Sequence, residues 1–256
     1  MTADDLPAAF AGLPQEWRSA LPGWTSERMA AVVARIREVS AQRPIAPEDP
    51  FRALRLTPPQ RVKVVVLGQD PYPTAGHADG LAFSAPSAKP PSLRRIFSVL
   101  AADRPGFHPP SCWALDRWAH QGALLLNPAL TVEVGHIGRH LDCGWQALTS
   151  EIINFLHARP DPPVFLLWGS KAQAFFDQAV AGSGTAALVL RTRHPSNDFH
   201  KLFMAEGSHF VATAERIDWW ALSEPMSPSA GVSGGGLTSR GLCYSHGFSV
   251  EGCPSG

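Results

Sequence analysis

Four short apolar runs punctuate this chain: VVVL at Val64–Leu67, ALLL at Ala123–Leu126, VFLLW at Val164–Trp168 and the run within ALVLR that ends at Leu190. Runs this short, β-branched or leucine-rich and uninterrupted by polar residues, belong to strands covered on both faces. Between them lie helical patterns. SLRRIFSVLAAD puts Leu93, Ile96, Phe97 and Leu100 on one stripe, and WQALTSEIINFLH and KAQAFFDQAV follow in the later gaps. The connections are long enough for crossovers. The pattern therefore predicts an α/β fold, a central four-stranded parallel sheet with helices on both faces. An earlier helix, ERMAAVVARIREVSAQR, gathers Met29, Val32, Val33, Ile36 and Val39 on one face, and Ser92 is expected to cap the helix after the first strand.

In such sheets ligands bind beyond the carboxyl ends of the strands. There the chain carries Gln69-Asp70-Pro71-Tyr72, Asn127, Gly169-Ser170 and His194-Pro195-Ser196. Each has a plain reading by itself: Asp70 as the cap of an Asp-Pro turn, the serines as helix or loop caps. Together they bring a carboxylate, a phenol, an amide, an imidazole and small hydroxyls to one rim, suited to reading a planar polar ring and hydrolysing a bond beside it.

Charge gives no global hint of a polyanion partner, since Lys plus Arg and Asp plus Glu both number 22. Local clusters remain at Lys89, Arg94, Arg95 and Arg104, and at Arg191, Arg193 and Lys201. The cysteines, Cys112, Cys143, Cys243 and Cys253, lack C-x-x-C spacing and read as reduced thiols. Asp4 and Asp5 stand where a secretory signal carries positive charge, and no apolar run approaches a membrane span. The expectation is a cytoplasmic monomer with no membrane association. Residues 1–225 read as the folded domain; from Met226 the chain is rich in Ser and Gly without periodicity and reads as a disordered tail. A G-x-S-x-G match at Gly231–Gly235 lacks the strand and helix that a nucleophile elbow needs.

GQDPY, GLAFS, PPS, LLLN with LTV, LLWGS and HPS occur in one order between about Pro50 and Leu222. In this the chain resembles the family 1 uracil-DNA glycosylases. The resemblance implies flipping of uracil out of DNA and hydrolysis of its N-glycosidic bond to leave an abasic site, without a cofactor or metal. It implies Asp70 as the carboxylate that positions water and stabilises the cationic sugar. His194, with the backbone N–H of Gln69, becomes the donor to uracil O2. Phe83 becomes the stacking floor, Asn127 the reader of N3–H and O4, and Tyr72 the block against the thymine methyl. Ser92, Ser170 and Ser196 become phosphate contacts. Asp70 is expected to be ionised near an ordinary carboxylate pKa, and His194 to be held neutral by Arg191 and Arg193.

The sequence departs from the family at three places. Pro73 replaces a histidine; Asn197, Asp198 and Phe199 stand where the family carries Pro-Leu-Ser, whose leucine wedges into the DNA stack; and Ser208 precedes His209-Phe210. A carboxylate at 198 is expected to face phosphates of its own sign, so either Phe199 or Phe203 takes over the wedge or flipping relies on the pocket alone, and the DNA-mimicking inhibitor protein that captures the family's leucine is expected to bind poorly. His136, His140 and Cys143 have short metal-like spacing but no fourth ligand nearby. The rival reading is a non-catalytic binder of damaged or single-stranded DNA on the same fold, which Asp70 disfavours. A nucleotide-binding α/β protein lacks its glycine-rich loop.

Overall fold

A computed structural model describes residues 1–222 apart from 185, 186, 197 and 199, so the expectations placed on Asn197, Phe199 and the tail lie outside the described residues. In chain order the helices and strands are α1 (Leu6–Ala11), α2 (Gln15–Ala20), α3 (Ser26–Ser40), β1 (Ile45–Ala46), α4 (Arg52–Leu56), β2 (Val64–Leu67), α5 (Pro91–Asp103), α6 (Asp116–Gln121), β3 (Ala123–Leu126), β4 (Val132–Glu133), α7 (Trp145–His157), β5 (Val164–Trp168), α8 (Ser170–Ala179), β6 (Val189–Thr192) and α9 (His209–Ala212).

The four apolar runs form one parallel sheet in the order β3-β2-β5-β6, with Leu67 opposite both Leu126 and Leu167. Central β2 is buried along its whole length, which accounts for three consecutive valines, whereas edge strand β6 is only half-buried and tolerates Arg191. Both faces are covered. On one, the Phe165 ring lies 4.9 Å from Phe176 of α8 and 5.9 Å from His157 of α7. Three residues along β5, and so on the opposite face, Trp168 meets Phe210 of α9 at 5.8 Å and Phe203 at 5.4 Å. From β2 the chain leaves towards β3, and from β5 towards β6, so the connections diverge between the two central strands. A crevice opens there at their carboxyl ends.

Helix α5 corrects one expectation. Its N-cap is Pro90, without a side-chain cap, and Pro91 takes the first helical position, where a missing N–H costs nothing. Ser92 lies inside the helix and is buried. The short N-terminal helices and the β1–β4 ribbon carry too few residues for a periodic signal. The helices are anchored by long-range contacts instead: Phe10 stacks on Trp145 at 5.3 Å, and the Trp17 indole N–H donates to the Leu54 and Thr57 carbonyls.

His140 belongs to the core beneath that ribbon. Its Nε2 lies 2.8 Å from Ser40 Oγ and its Nδ1 2.9 Å from Thr131 Oγ1, so both ring nitrogens are engaged, and burial pushes its pKa down to about 4. Among the described residues no cluster of three or more His, Cys, Asp or Glu could hold a metal ion, and no helix is long and apolar enough to cross a membrane.

Candidate active site

A cleft of about 420 Å³ occupies the crevice and brings together Gln69, Asp70, Tyr72, Phe83, Ser92, Asn127, His194 and Ser196. Ser170 lies outside it. With Lys171, Arg193 and Asp198 it lines an adjoining groove that shares Gln69, His194 and Ser196.

Asp70 leaves β2 on the stiff Asp-Pro turn, half-buried. Its Oδ2 accepts the N–H of Gly138, from the loop after β4, at 2.8 Å. Burial raises its pKa above the ordinary carboxylate value; the Gly138 N–H and the Lys171 charge oppose that rise. The expectation of an unperturbed carboxylate is corrected accordingly. The sequence gives no expectation that Gly138 meets Asp70, because a backbone donor 68 residues away leaves no composition signal.

His194 follows β6. The N–H of Ser196 donates to its Nδ1 at 3.1 Å, and Ser196 Oγ lies 2.7 Å from the same nitrogen. A backbone N–H can only donate, so Nδ1 is bare and the neutral ring carries its proton on Nε2. Burial holds the pKa below the usual imidazole value, and Lys171 adds to it. The expected cause was Arg191 and Arg193; Arg191 instead pairs with Asp177 at 2.5 Å. Gly169 permits the close approach of this loop: a Cβ there would lie 2.9 Å from His194 Cβ.

Asn127 ends β3 and is 9% exposed. Among the described residues its amide has no hydrogen-bond partner, and neither does the N–H of Gln69. Gly68 makes room for this amide, since a Cβ at 68 would sit 2.2 Å from Asn127 Oδ1.

Phe83 has a backbone φ of +67°, a conformation rarely adopted by a bulky residue. A surrounding lattice imposes it. Asp79 accepts from Ser84 Oγ at 2.7 Å, from Leu81 N–H at 3.2 Å and from Arg52 at 2.7 Å, while Ala82 N–H donates to Leu125 O at 3.0 Å. The Phe83 ring centroid lies 5.8 Å from that of His194 and 5.1 Å from that of Trp168. Tyr72 donates to the Phe83 carbonyl and is 2.7 Å from Ser92 Oγ; burial pushes its pKa up, keeping the phenol protonated.

Asp198 does not face outward as expected. Its side chain is 4% exposed; Oδ2 accepts from Arg95 Nε at 2.6 Å, and Oδ1 from the N–H groups of Leu202 at 2.6 Å and Phe203 at 3.1 Å. These bonds hold its pKa below the ordinary value against the effect of burial. Arg95 is thereby tied to the loop rather than free to line a groove. Phe203 is 1% exposed against Trp168 and is no wedge.

Known proteins match this arrangement. The model of the Uracil DNA glycosylase superfamily covers residues 54–217. A uracil-DNA glycosylase of Bordetella petrii is 42% identical over 200 residues, 77% of this chain and 78% of that protein. One from Epstein-Barr virus is 43% identical over 173 residues, 66% of each chain. The crystal structure of mimivirus uracil-DNA glycosylase aligns with a TM-score of 0.64 at 25% identity, covering 74% of this chain and 71% of that one. With a matching family model across most of the chain and close relatives over three quarters of it, this chain belongs to the uracil DNA glycosylase superfamily.

Proposed function

We propose that this cleft excises uracil from DNA through Asp70 and His194, with Asn127, Tyr72, Phe83 and the Gln69 N–H holding the base. The activity is that of a DNA-repair hydrolase acting on N-glycosidic bonds. Carrying the assignment of roles is one observation: the Asn127 amide, the Gln69 N–H and the Nε2–H of His194 all stand without partners among the described residues, in a cleft that contains a carboxylate.

A flipped uracil lies on Phe83, and Asn127 pairs with its N3–H and O4. Cytosine presents the opposite pattern, leaving buried polar groups mispaired. The ring of Tyr72 occupies the space of a thymine methyl. As the bond from sugar C1′ to uracil N1 breaks, its electron pair passes to the base. Negative charge then builds on O2, where His194 Nε2–H and Gln69 N–H donate. The ionised Asp70 stabilises the cationic sugar, orients water towards C1′ and takes its proton. The products are free uracil and an abasic site. Ser92, Ser170 and Ser196 position the strand, with Lys171 and Arg193 supplying positive charge beside the phosphates.

Residues 1–225 act as the catalytic domain, as a monomer in the cytoplasm. The DNA-mimicking inhibitor binds poorly, because the leucine it would capture is replaced by an Asp198 that is already engaged internally. A gel assay on a uracil-containing oligonucleotide tests the activity: released uracil with an alkali-labile site is the expected result. Binding without release would favour the non-catalytic binder instead.

A further inference from the structure

The described residues carry four exposed large hydrophobic side chains, Ile137, Leu188, Leu202 and Val211. Single exposed hydrophobics are ordinary on a protein surface. Ile137 differs in place: at 75% exposed it is the most open of the four, and it alone among them lines the cleft that holds Asp70.

Its loop is built to present it. Gly135 and Gly138 bracket the turn with φ of +87° and +72°, a region that favours glycine. Both are fastened to the catalytic loop. Gly135 N–H donates to Pro73 O at 2.8 Å, and Gly138 N–H donates to Asp70 Oδ2 at 2.8 Å. Between these two ties the Ile137 side chain is left in solvent, with the exposed His136 and Arg139 on either side. His136 Nδ1 lies 3.0 Å from Glu133 Oε1 and Arg139 Nη2 donates to Val39 O at 3.1 Å, so both neighbours are held back on the protein and Ile137 is left as an apolar tip at the lip of a base-binding cleft, suited to a sugar or base face.

We propose that Ile137 is a DNA-contacting residue whose side chain is covered by the nucleotide flanking the extruded uracil. This rests on the uracil-excision reading and adds to it a contact on the lip formed by the loop after β4. The contact is made by apolar burial on binding, so shape and hydrophobicity matter and charge does not.

Uracil release is measured for wild type, Ile137→Leu and Ile137→Ser on a long uracil-containing oligonucleotide. It is measured again on a deoxyuridine nucleotide carrying only its own 5′ and 3′ phosphates. Ile137→Ser is expected to raise KM on the long substrate about tenfold while kcat stays within about twofold, and Ile137→Leu to restore wild-type KM. On the short substrate, which has no flanking nucleotide, the variant's KM is expected to match wild type within about twofold. Thermal unfolding of each variant, expected unchanged for so exposed a side chain, separates contact from folding. An unchanged KM on the long substrate, or an equal loss on both, overturns the contact while leaving the activity intact. Absence of release by the wild type on the long substrate overturns the activity reading itself.

Discussion

The Tyr72 hydroxyl donates to the Phe83 carbonyl at 3.2 Å, and because that carbonyl can only accept, the Ser92 hydroxyl must donate to Tyr72 in turn. The residue proposed to exclude the thymine methyl and the backbone of the proposed stacking floor are thus joined. Tyr72→Phe keeps the ring but leaves a carbonyl and a hydroxyl without their partner. It is expected to lower stability by about 1 kcal/mol and to keep thymine refused. Tyr72→Ala should release detectable thymine. Chromatography of bases released from uracil- and thymine-containing duplexes checks both; thymine release by the phenylalanine variant would move the gate elsewhere.

In the role proposed for it Asp70 acts ionised, and burial raises its pKa. The acid limb of kcat/KM is therefore expected above the ordinary carboxylate pKa of about 3.9, with activity falling as pH drops through it. A raised carboxylate pKa also costs the folded state stability at pH values above it, where the ionised form is buried. Asp70→Asn should then lose turnover by orders of magnitude while melting at the same or a higher temperature at pH 7. Turnover within a few-fold of wild type would remove Asp70 from its role.

His194 is expected to be neutral at pH 7 with its proton on Nε2, as a nitrogen-detected NMR spectrum of the imidazole would record. Burial lowers its pKa, so protonation of the ring, and any loss of activity that follows from it, is expected at lower pH than for an ordinary imidazole. An imidazolium at pH 7, or a proton on Nδ1, would contradict the Ser196 hydrogen bond.

Gly68 and Asn127 should behave as one unit. Gly68→Ala drives a methyl into Asn127 Oδ1 and is expected to reduce kcat/KM for uracil release about as much as Asn127→Ala. The double variant should lose little more than either single one, a coupling that a double-mutant cycle measures directly. Additive losses would mean that Gly68 acts by another route.

Asp198→Leu removes the acceptor of Arg95 and of two backbone N–H groups. Denaturant unfolding should show a loss of roughly 2–3 kcal/mol. The Asp198 pKa is lowered in the fold, so its contribution is present above the unfolded-state pKa and disappears as pH falls through the lower folded one. The difference between wild type and variant should shrink accordingly in acid. Restoring leucine at 198 is therefore expected to loosen the loop, not to mend a wedge; a variant as stable as wild type would show the carboxylate to be idle.

Sheet, central strand and long helices were legible because burial on both faces and a 3.6-residue period leave direct traces in sequence, as in Val64–Val66 and Leu93–Leu100. The rim residues were legible as a set because parallel strands end together. What escaped depends on direction and on distant backbone. Asp198 could have faced either way until Arg95, 103 residues earlier, was seen to reach it, and Ser92 looks like a cap until Pro90 takes that position. Gly138 has no side chain to announce that its N–H meets Asp70.

Phe83 sets local preference against use. Glycine would relax the left-handed backbone at that position, yet would remove the ring that lies beside His194. Selection for stability alone would thus pull this site towards a sequence that folds more readily and recognises less. The Asp79 lattice around it is what lets the chain keep an activity that its own conformational leaning opposes.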